Sequence, residues 1–530
     1  MCAKFQLNRK PKMESKSSVR EFYKGKNVLV TGPSGFMGKV LVEKLLYTIP
    51  DIGRVYLVLR PKWGKTVQER LEHMLSSPMF ERLRKEQKGA FEKMIPIQGD
   101  VLKDDLGISN EDMKILSEEV SIVFHMAAIL KMEAPLKDSV AMNTAGTQRA
   151  LDVARRFKHL VMFVHVSTAF CYPEYKVLEE KFHDPPVNPS DIMRMCEWLD
   201  DKQVSLLTPS LLGQHPNTYT YTKRLAESLV YDAHPEIPCV IARPSIVCPA
   251  YADPIPGWVD NLNGPVGLII GAGKGVIRTM LCDPSIYAQV IPVDGAINAI
   301  IALVMIEAAK KSENIPIYNL NVGHKKPTTW GEVLKCAKEY TWKYPVSFPL
   351  WYPNGDITTN VVAHEIKRVL FHLVPAYIID FFLLIFRQKR FMVRVQDKIS
   401  RGLELLQYFT VREWHFPCPN FEAIHNTLSE EERLVYITHK DPKEFDMWDY
   451  FHKGVETGRV ICLKDDLSKI PLNRIYFKFL YVLDSVVKIV FWCFVLSFIV
   501  SWCQPLRDFL AFGEPIVRRV PFVGSAVFHK

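Results

Sequence analysis

Residues 28–41, VLVTGPSGFMGKVL, admit very few local structures. A short apolar run at residues 27–30 reaches Thr31 and then Gly32-x-x-Gly35-x-x-Gly38. Val40, Leu41, Leu45 and Leu46 follow at helical spacing. Strand, glycine turn and helix in that order are the context a dinucleotide fingerprint requires. Glycine permits the tight turn and leaves no Cβ between the backbone and a pyrophosphate. The helix start then offers unpaired N–H groups and a positive dipole end to phosphate.

The chain after the turn keeps the same rhythm. Residues 55–59 (VYLVL) read as a second buried parallel strand, ending at Arg60 with Lys62 two residues on. An acidic residue at this place binds the ribose 2′-hydroxyl of NAD. A cation suits a 2′-phosphate instead, so NADPH is expected over NADH, although an ordinary strand-end arginine is the plainer alternative. Residues 66–88 are charged and amphipathic, and residues 95–97 lead to Gly99-Asp100-Val101, whose aspartate is placed at the adenine edge. Residues 120–125 (VSIVFH) form another strand, and the small Ala127 and Ala128 after it let backbone approach the cofactor. Asn143-x-x-Gly146-Thr147 opens a helix, and residues 160–166 (LVMFVHV) end in Ser167-Thr168. Later strands are expected at 240–242, before Arg243-Pro244-Ser245-Ile246, and at 318–322, with an apolar helix at 296–309 between them. This alternation predicts an α/β fold, a Rossmann-type doubly wound parallel sheet. Residues 170–217 are too long for a plain connection and read as an insertion beside the site. The Pro- and Gly-rich residues 253–275 read as a loop over a bound ligand.

Composition narrows the class. The 530 residues are 48% hydrophobic and carry a net charge of +9 without a long basic block, so nucleic acid is not an expected partner. Eleven scattered cysteines form no C-x-x-C pair, which argues against a zinc site or disulfide framework and for reduced thiols facing the cytosol. No metal is expected. Residues 1–24 are polar and basic and read as a flexible arm rather than a secretory signal.

The character changes near residue 350. Residues 371–386 are very apolar but contain Pro375 and Asp380, which favours an interfacial or buried helix over a crossing. Residues 388–410 are helical in pattern, and Trp414, Trp448 and Tyr450 lie in a small α-rich domain. Residues 479–503 are apolar enough for a C-terminal membrane helix, or alternatively a hydrophobic hairpin or monotopic anchor, followed by a tail at 504–530. Lys464, Lys469, Arg474 and Lys478 before it place the large N-terminal part in the cytosol, while Arg507, Arg518 and Arg519 beyond it pull the other way.

One spacing carries chemistry. Tyr219 and Lys223 lie four apart at the start of a helix, so both project from one face. A phenol ionises near pH ~10, and a lysine ammonium beside it is expected to lower that value. The tyrosine then exchanges a proton with a substrate oxygen near neutrality. Lys223 also reaches the nicotinamide ribose. Thr168 donates to the same oxygen, with Ser167 as the rival hydroxyl.

On NVLVTGPSGFMGKVLVEKLL, YLVLRPK, VFHMAA, HVSTAF, PNTYTYTKRLAE, ARPSIV, PGWVDNLNGPVGL and GAGKGVIRTM, the chain resembles an extended short-chain dehydrogenase/reductase of the alcohol-forming fatty acyl-CoA reductase family. LQYFTVREWHFPCPN and FDMWDYFHKGVETG are similar to the family's C-terminal domain, so the resemblance covers roughly residues 20–465. Pro33 departs from it, since the family more often has a small residue there.

The resemblance implies residues 25–345 as an NADPH-binding reductase domain with substrate-binding insertions and 355–465 as the helical C-terminal domain. It implies that long-chain fatty acyl-CoA is reduced by two successive hydride transfers, through an enzyme-held aldehyde, to fatty alcohol and CoA, supplying wax or ether-lipid precursors. Carried over, Tyr219 is the general acid, Lys223 its partner and Thr168 the carbonyl donor. Thr31, Gly32, Ser34, Gly35, Phe36, Met37, Gly38, Arg60, Lys62, Asp100, Val101, Ala127, Lys223, Pro244 and Ile246 contact NADPH. A lipid membrane is the expected partner, that of the endoplasmic reticulum before the peroxisomal one, since Phe528-His529-Lys530 is not an S-K-L address. The rival readings are an aldehyde-forming or sterol-directed membrane reductase and a catalytically inactive membrane scaffold.

Overall fold

The computed structural model of the chain describes residues 18–62, 64–310, 312–322, 328–438 and 445–502. Its strands, in chain order, are β1 (Asn27–Thr31), β2 (Val55–Leu59), β3 (Met94–Gln98), β4 (Val120–His125), β5 (Met162–Val166), β6 (Cys239–Pro244), β7 (Ile246–Cys248), β8 (Thr279–Leu281), β9 (Val290–Pro292), β10 (Ile317–Leu320) and β11 (Asp356–Thr358). Seven of them make one sheet in the order β10-β6-β5-β4-β1-β2-β3, every neighbour parallel. The chain runs outward from β1 to β3 and then returns to β4 on the other side of β1. The crevice between the ends of β1 and β4 is therefore the topological switch point, where ligands bind in such sheets. Two further parallel pairs, β7 with β9 and β8 with β11, lie outside it.

These strands are legible as continuous apolar runs because both faces are covered. Val28 and Val30 join one buried cluster with Leu41 and Leu45 of the helix Phe36–Thr48 and with the helix Val293–Lys310. Leu29, between them, points to the opposite cluster with Leu151 and Leu229, from the helices Ala145–Ala154 and Thr218–Ala233. The helix expected at 296–309 is Val293–Lys310, buried continuously from Val293 to Glu307. A helix apolar on all sides needs cover on all sides. A short helix, Val19–Tyr23, supplies part of it, with Tyr23 Oη donating to the Ile301 carbonyl at 3.0 Å. The flexible arm expected to reach residue 24 is thus packed structure from Ser18 onward, while residues 1–17 lie outside the described residues.

Among the described residues, the clustered buried side chains of the helical region after residue 355 belong to clusters shared with the earlier part of the chain. Phe421, Ile424 and Leu428 belong to the same cluster as Val28 and Val30, and Trp414 and Phe416 pack on Phe170. Asn319 Nδ2 donates to the carbonyls of Leu178 and Pro417, both at 2.8 Å, which ties the insertion, β10 and this region together. The insertion itself holds the helices Pro189–Trp198 and Asp201–Leu212. The loop expected over 253–275 is a loop only in its first half. Pro265–Gly273 is helical, with proline in the first turn where no intrahelical N–H partner is needed.

Among the described residues, two stretches are long and apolar enough to cross a membrane, Val361–Ile385 and Leu467–Ile499. In the first, Pro375 does not break the helix, because a wider π-type turn, Val369–Leu373, precedes it and absorbs the clash with the earlier carbonyl. The stretch is largely exposed rather than buried. The second belongs to the helix Ile470–Trp502, which begins well before residue 479. Asn473, Phe477, Leu480 and Asp484 form a buried stripe on the protein body, whereas none of residues 486–499 is buried. Cys503 and the tail at 504–530 lie outside the described residues.

Candidate active site

One cavity of about 1130 Å³ opens at the switch point. Its walls include every residue that the sequence pointed to: Thr31, Gly32, Ser34, Gly35, Phe36, Met37, Gly38, Arg60, Lys62, Asp100, Val101, Ala127, Thr168, Tyr219, Lys223, Pro244 and Ile246. At its floor, Gly32 has φ +72°, and a Cβ there would stand 2.9 Å from the Ala127 nitrogen. A Cβ at Gly38 would strike the Gly32 carbonyl. The turn therefore tolerates no side chain at either place. Gly35 caps the following helix without any side-chain hydrogen bond, so the first N–H groups of that helix stay available to an anion. Thr31 Oγ1 fixes the facing strand end by accepting from the N–H groups of Met126 and Ala127, both at 3.2 Å. His125, hydrogen-bonded to Thr31 Oγ1 at 2.9 Å and Thr147 Oγ1 at 3.1 Å, holds that hydroxyl. Burial and the nearby Lys223 cation pull this histidine down to about 3, so it is a neutral strut. These features fit a dinucleotide pyrophosphate.

At the end of β2 three cations converge. Arg60 lies 3.8 Å from Asp100. Arg70 donates to the Arg60 carbonyl and, at 3.2 Å, to Ser34 Oγ. Lys62 lines the same corner. Arg70 was not visible in the sequence, because it sits inside an ordinary charged helix, Val67–Leu75, and only folding brings it to the glycine turn. Asp100, expected at an adenine edge, is paired with Arg60 and accepts from the Leu102 N–H at 3.1 Å.

Deeper in the cavity, Asn217 caps the helix Thr218–Ala233 by accepting from the Thr220 N–H, which places Tyr219 and Lys223 on the inward face. Tyr219 and Thr168 both line the cavity, and the Thr168 hydroxyl is close enough to the phenol to act on its ionisation. Burial holds that phenol above its ordinary value near 10, the neighbouring Cys171 adds to the rise, and the Thr168 contact offsets only part of it. The lowering expected from Lys223 is absent. Lys223 Nζ instead donates to the Val166 carbonyl at the end of β5, 2.7 Å away. Burial pulls the ammonium down to about 8, with Glu227 and Cys171 opposing. Helical spacing put the two side chains on one face but did not reveal the strand carbonyl that takes the ammonium.

The two rival hydroxyls differ in surroundings: Thr168 acts on the ionisation of Tyr219, whereas Ser167 acts on that of the buried Glu227 and lies 3.9 Å from Cys171 Sγ. Glu227 and Arg243 are both fully withdrawn from solvent and ion-paired at 2.7 Å. Burial works against the Glu227 carboxylate, yet the Arg243 charge and hydrogen bonds keep it below its ordinary value. Tyr172 Oη also donates to Glu227, at 2.8 Å, and Cys171 Sγ to the Thr168 carbonyl at 2.9 Å. This cluster packs directly behind the Thr168 backbone. Its sequence signal was a glutamate four residues after Lys223, on the same helix face, with an arginine at a strand end.

The far wall is apolar. Ile399, Leu403, Leu406 and Phe409 come from the helix Met392–Thr410, and Leu262 and Val266 from the segment over the mouth. That segment is pinned at its start by Asp294, which accepts from the N–H groups of Tyr251, Ala252 and Asp253. Lys39 of the glycine-turn helix pairs with Asp260 further along it.

A family model for NAD-binding domains described as "Male sterility protein" matches residues 30–300, and the "Sterile" model, with the same description, matches residues 371–465. Fatty acyl-CoA reductase 1 of Gallus gallus is 36% identical over 457 residues, covering 86% of this chain and 88% of its own. Fatty acyl-CoA reductase 2 of Bos taurus is 35% identical over 507 residues, covering 93% and 98%. Among solved structures, the terminal R domain of the myxalamid PKS-NRPS pathway superposes with a TM-score of 0.54 at 17% identity over 82% of this chain and 91% of its own. The reductase domain of a non-ribosomal peptide synthetase from Mycobacterium tuberculosis gives 0.54 at 16% identity, over 85% and 94%. These two share the fold.

Proposed function

Because this chain belongs to the fatty acyl-CoA reductase family of extended short-chain dehydrogenases/reductases, we propose that it reduces long-chain fatty acyl-CoA to fatty alcohol and CoA with NADPH. The observation that carries the reading is the continuity of one cavity, from the glycine turn past Thr168, Tyr219 and Lys223 to the apolar wall of Leu403, Leu406 and Phe409. A dinucleotide, a carbonyl and an acyl chain each find the chemistry they need along that line.

A dinucleotide with its pyrophosphate on the glycine turn and its nicotinamide beside Tyr219 and Lys223 would supply hydride, once for the thioester and once for the aldehyde. Tyr219 Oη and Thr168 Oγ1 receive the substrate carbonyl oxygen between them and stabilise the charge that develops on it. The raised pKa of Tyr219 keeps it protonated at neutral pH, which is the form a general acid needs in the reductive direction. Lys223 holds the end of β5 through the Val166 carbonyl and offers its remaining N–H bonds to the ribose. Arg60, Lys62 and Arg70 favour a 2′-phosphate, since a carboxylate at the end of β2 is what a free 2′-hydroxyl calls for. The helix Ile470–Trp502 anchors the chain in a membrane, which its exposed apolar end at residues 486–499 supports, and Lys464, Lys469, Arg474 and Lys478 before that end favour the cytosolic side for the reductase part.

The deciding experiment supplies membranes containing the full chain with NADPH and a series of saturated acyl-CoA, and separates the lipid products by chromatography. Fatty alcohol, with two NADPH oxidised per molecule, is expected. Aldehyde alone would move the protein to an aldehyde-forming reductase, and no product at any chain length would overturn the substrate class.

A further inference from the structure

The stretch Val361–Ile385 passes the length and hydropathy test for a membrane span, but its packing partner does not let it cross. The return helix Met392–Thr410 runs back beside it. That helix exposes Arg394, Asp397, Lys398 and Arg401 at the i, i+3, i+4, i+7 spacing of one face. A hairpin carrying this face cannot be threaded through hydrocarbon without stranding four charges there. The turn between the helices is rigid. The buried Asp380 carboxylate accepts from the N–H groups of Phe391, Met392 and Val393 at 3.1, 2.9 and 3.0 Å, capping the return helix from its neighbour. The connecting residues include Arg387, Lys389 and Arg390, all exposed. On the outer face of the first helix Tyr377 and Phe381 are 62% and 60% exposed, and Phe386 at its C-cap is 69% exposed.

Apolar on one side, charged on the other and basic at the tip, the hairpin has the pattern of an element lying in an anionic interface. It is also continuous with the C-terminal helix. Asp484 of that helix pairs with Arg278 at 3.4 Å and accepts from Trp351 Nε1 at 2.6 Å. The Arg278 N–H donates to His372 Nε2 of the hairpin at 2.8 Å, and its guanidinium lies over the Phe371 ring. The two exposed apolar surfaces are therefore braced in one relation through the Arg278 segment. The inner face of the return helix supplies Ile399, Gly402, Leu403 and Leu406 to the cavity wall.

We propose that the hairpin of Val361–Ile385 and Met392–Thr410 lies in the plane of an anionic membrane leaflet, with its basic tip on the headgroups, and that acyl chains enter the cavity from that leaflet along the return helix. The route rests on the substrate reading above; the docking does not.

The test uses full-length protein in vesicles of phosphatidylcholine doped with phosphatidylserine, whose acyl chains are brominated near either the glycerol or the methyl end. The fluorescence of Val374→Trp, an exposed position at the middle of the stretch, is read as the difference from unsubstituted protein. Bromine near the glycerol end is expected to quench the new indole about twofold more than bromine near the methyl end, and aqueous iodide is expected not to reach it. Strongest quenching from the methyl end would mean a crossing helix and overturn the proposal. Iodide quenching with none from lipid, or shielding from both with cross-linked dimers, would overturn it in favour of a wet face or a second copy. For the route, Arg387→Glu/Lys389→Glu/Arg390→Glu is expected to raise KM for vesicle-borne stearoyl-CoA about tenfold, with kcat and NADPH binding unchanged; an unchanged KM would overturn it. The quenching arm needs no turnover, so a chain that reduces no acyl-CoA loses the substrate reading while docking is still decided.

Discussion

Arg243 clasps Glu227 with both side chains at zero exposure, and the pair sits behind the Thr168 backbone rather than in the cavity. Removing one partner leaves the other charge buried and unpaired. Glu227→Gln is expected to cost about 3–5 kcal/mol of stability, read as a lower melting midpoint in detergent. The double change Glu227→Gln/Arg243→Met is expected to regain most of that loss. Equal destabilisation by both variants would show that the pair acts through contacts other than charge.

Tyr219→Phe removes the acidic proton and keeps the ring. Loss of a general acid lowers kcat by about 10²–10⁴-fold, while NADPH binding, followed by nicotinamide fluorescence, stays within about twofold. Retained turnover would remove Tyr219 from its role.

Lys223 gives the site a pH limb. Its cation prevails below the value of about 8 to which burial lowers it and is lost above. If the cation is the working form, kcat/KM falls as pH rises through that value, and the limb disappears in Lys223→Met. The stability effect has the opposite slope. Between about 8 and the unfolded value of ~10.4, the unfolded chain binds more protons, so raising pH through that window favours the folded state.

Arg70→Ala tests the corner at the end of β2. A hydrogen bond to a charged group is worth about 1.5–3 kcal/mol, so Kd for NADPH is expected to rise about 10- to 100-fold and Kd for NADH hardly at all. Arg60→Ala is expected to behave alike. Equal effects on both cofactors would remove the 2′-phosphate from this corner.

Gly402 sits inside a helix, lines the cavity, and has nothing within 4 Å of where a Cβ would stand. Gly402→Leu therefore fills cavity space without displacing a neighbour, and it improves helix propensity by up to about 1 kcal/mol. Each methylene of substrate denied burial costs about 0.8 kcal/mol, or about fourfold in kcat/KM. The product profile is expected to move to shorter chains while the melting midpoint holds or rises. An unchanged profile would place the acyl chain elsewhere.

The middle of the sheet was readable because β1, β2 and β5 are buried on both sides and appear as apolar runs closed by a turn, whereas β3 at the edge is only partly buried. The glycine turn was readable because steric exclusion at Gly32 and Gly38 leaves a mark that no other residue can replace. What escaped the sequence were meetings between distant segments. Arg70 reaches Ser34 across a helix that looks like any solvated helix. Asn319 collects carbonyls from Leu178 and Pro417, a tie between the helical C-terminal region and the first one that no spacing announces. Lys223 illustrates the same limit at short range: spacing tells which face a side chain leaves from, and the nearest acceptor decides where it ends.

The helix Ile470–Trp502 has a docked half and a bare half with no break between them. A tether of loose chain would let the catalytic body tumble and drift above the lipid. With its bare half in a membrane, as proposed above, a continuous rod clamped at Asp484 would remove those freedoms and set both the height and the tilt of the cavity mouth. Lengthening the rod by a few residues just after Asp484 would then do more than add distance. Each inserted residue turns the body by about 100° about the rod axis, so the mouth would sweep round the membrane normal as well as rise.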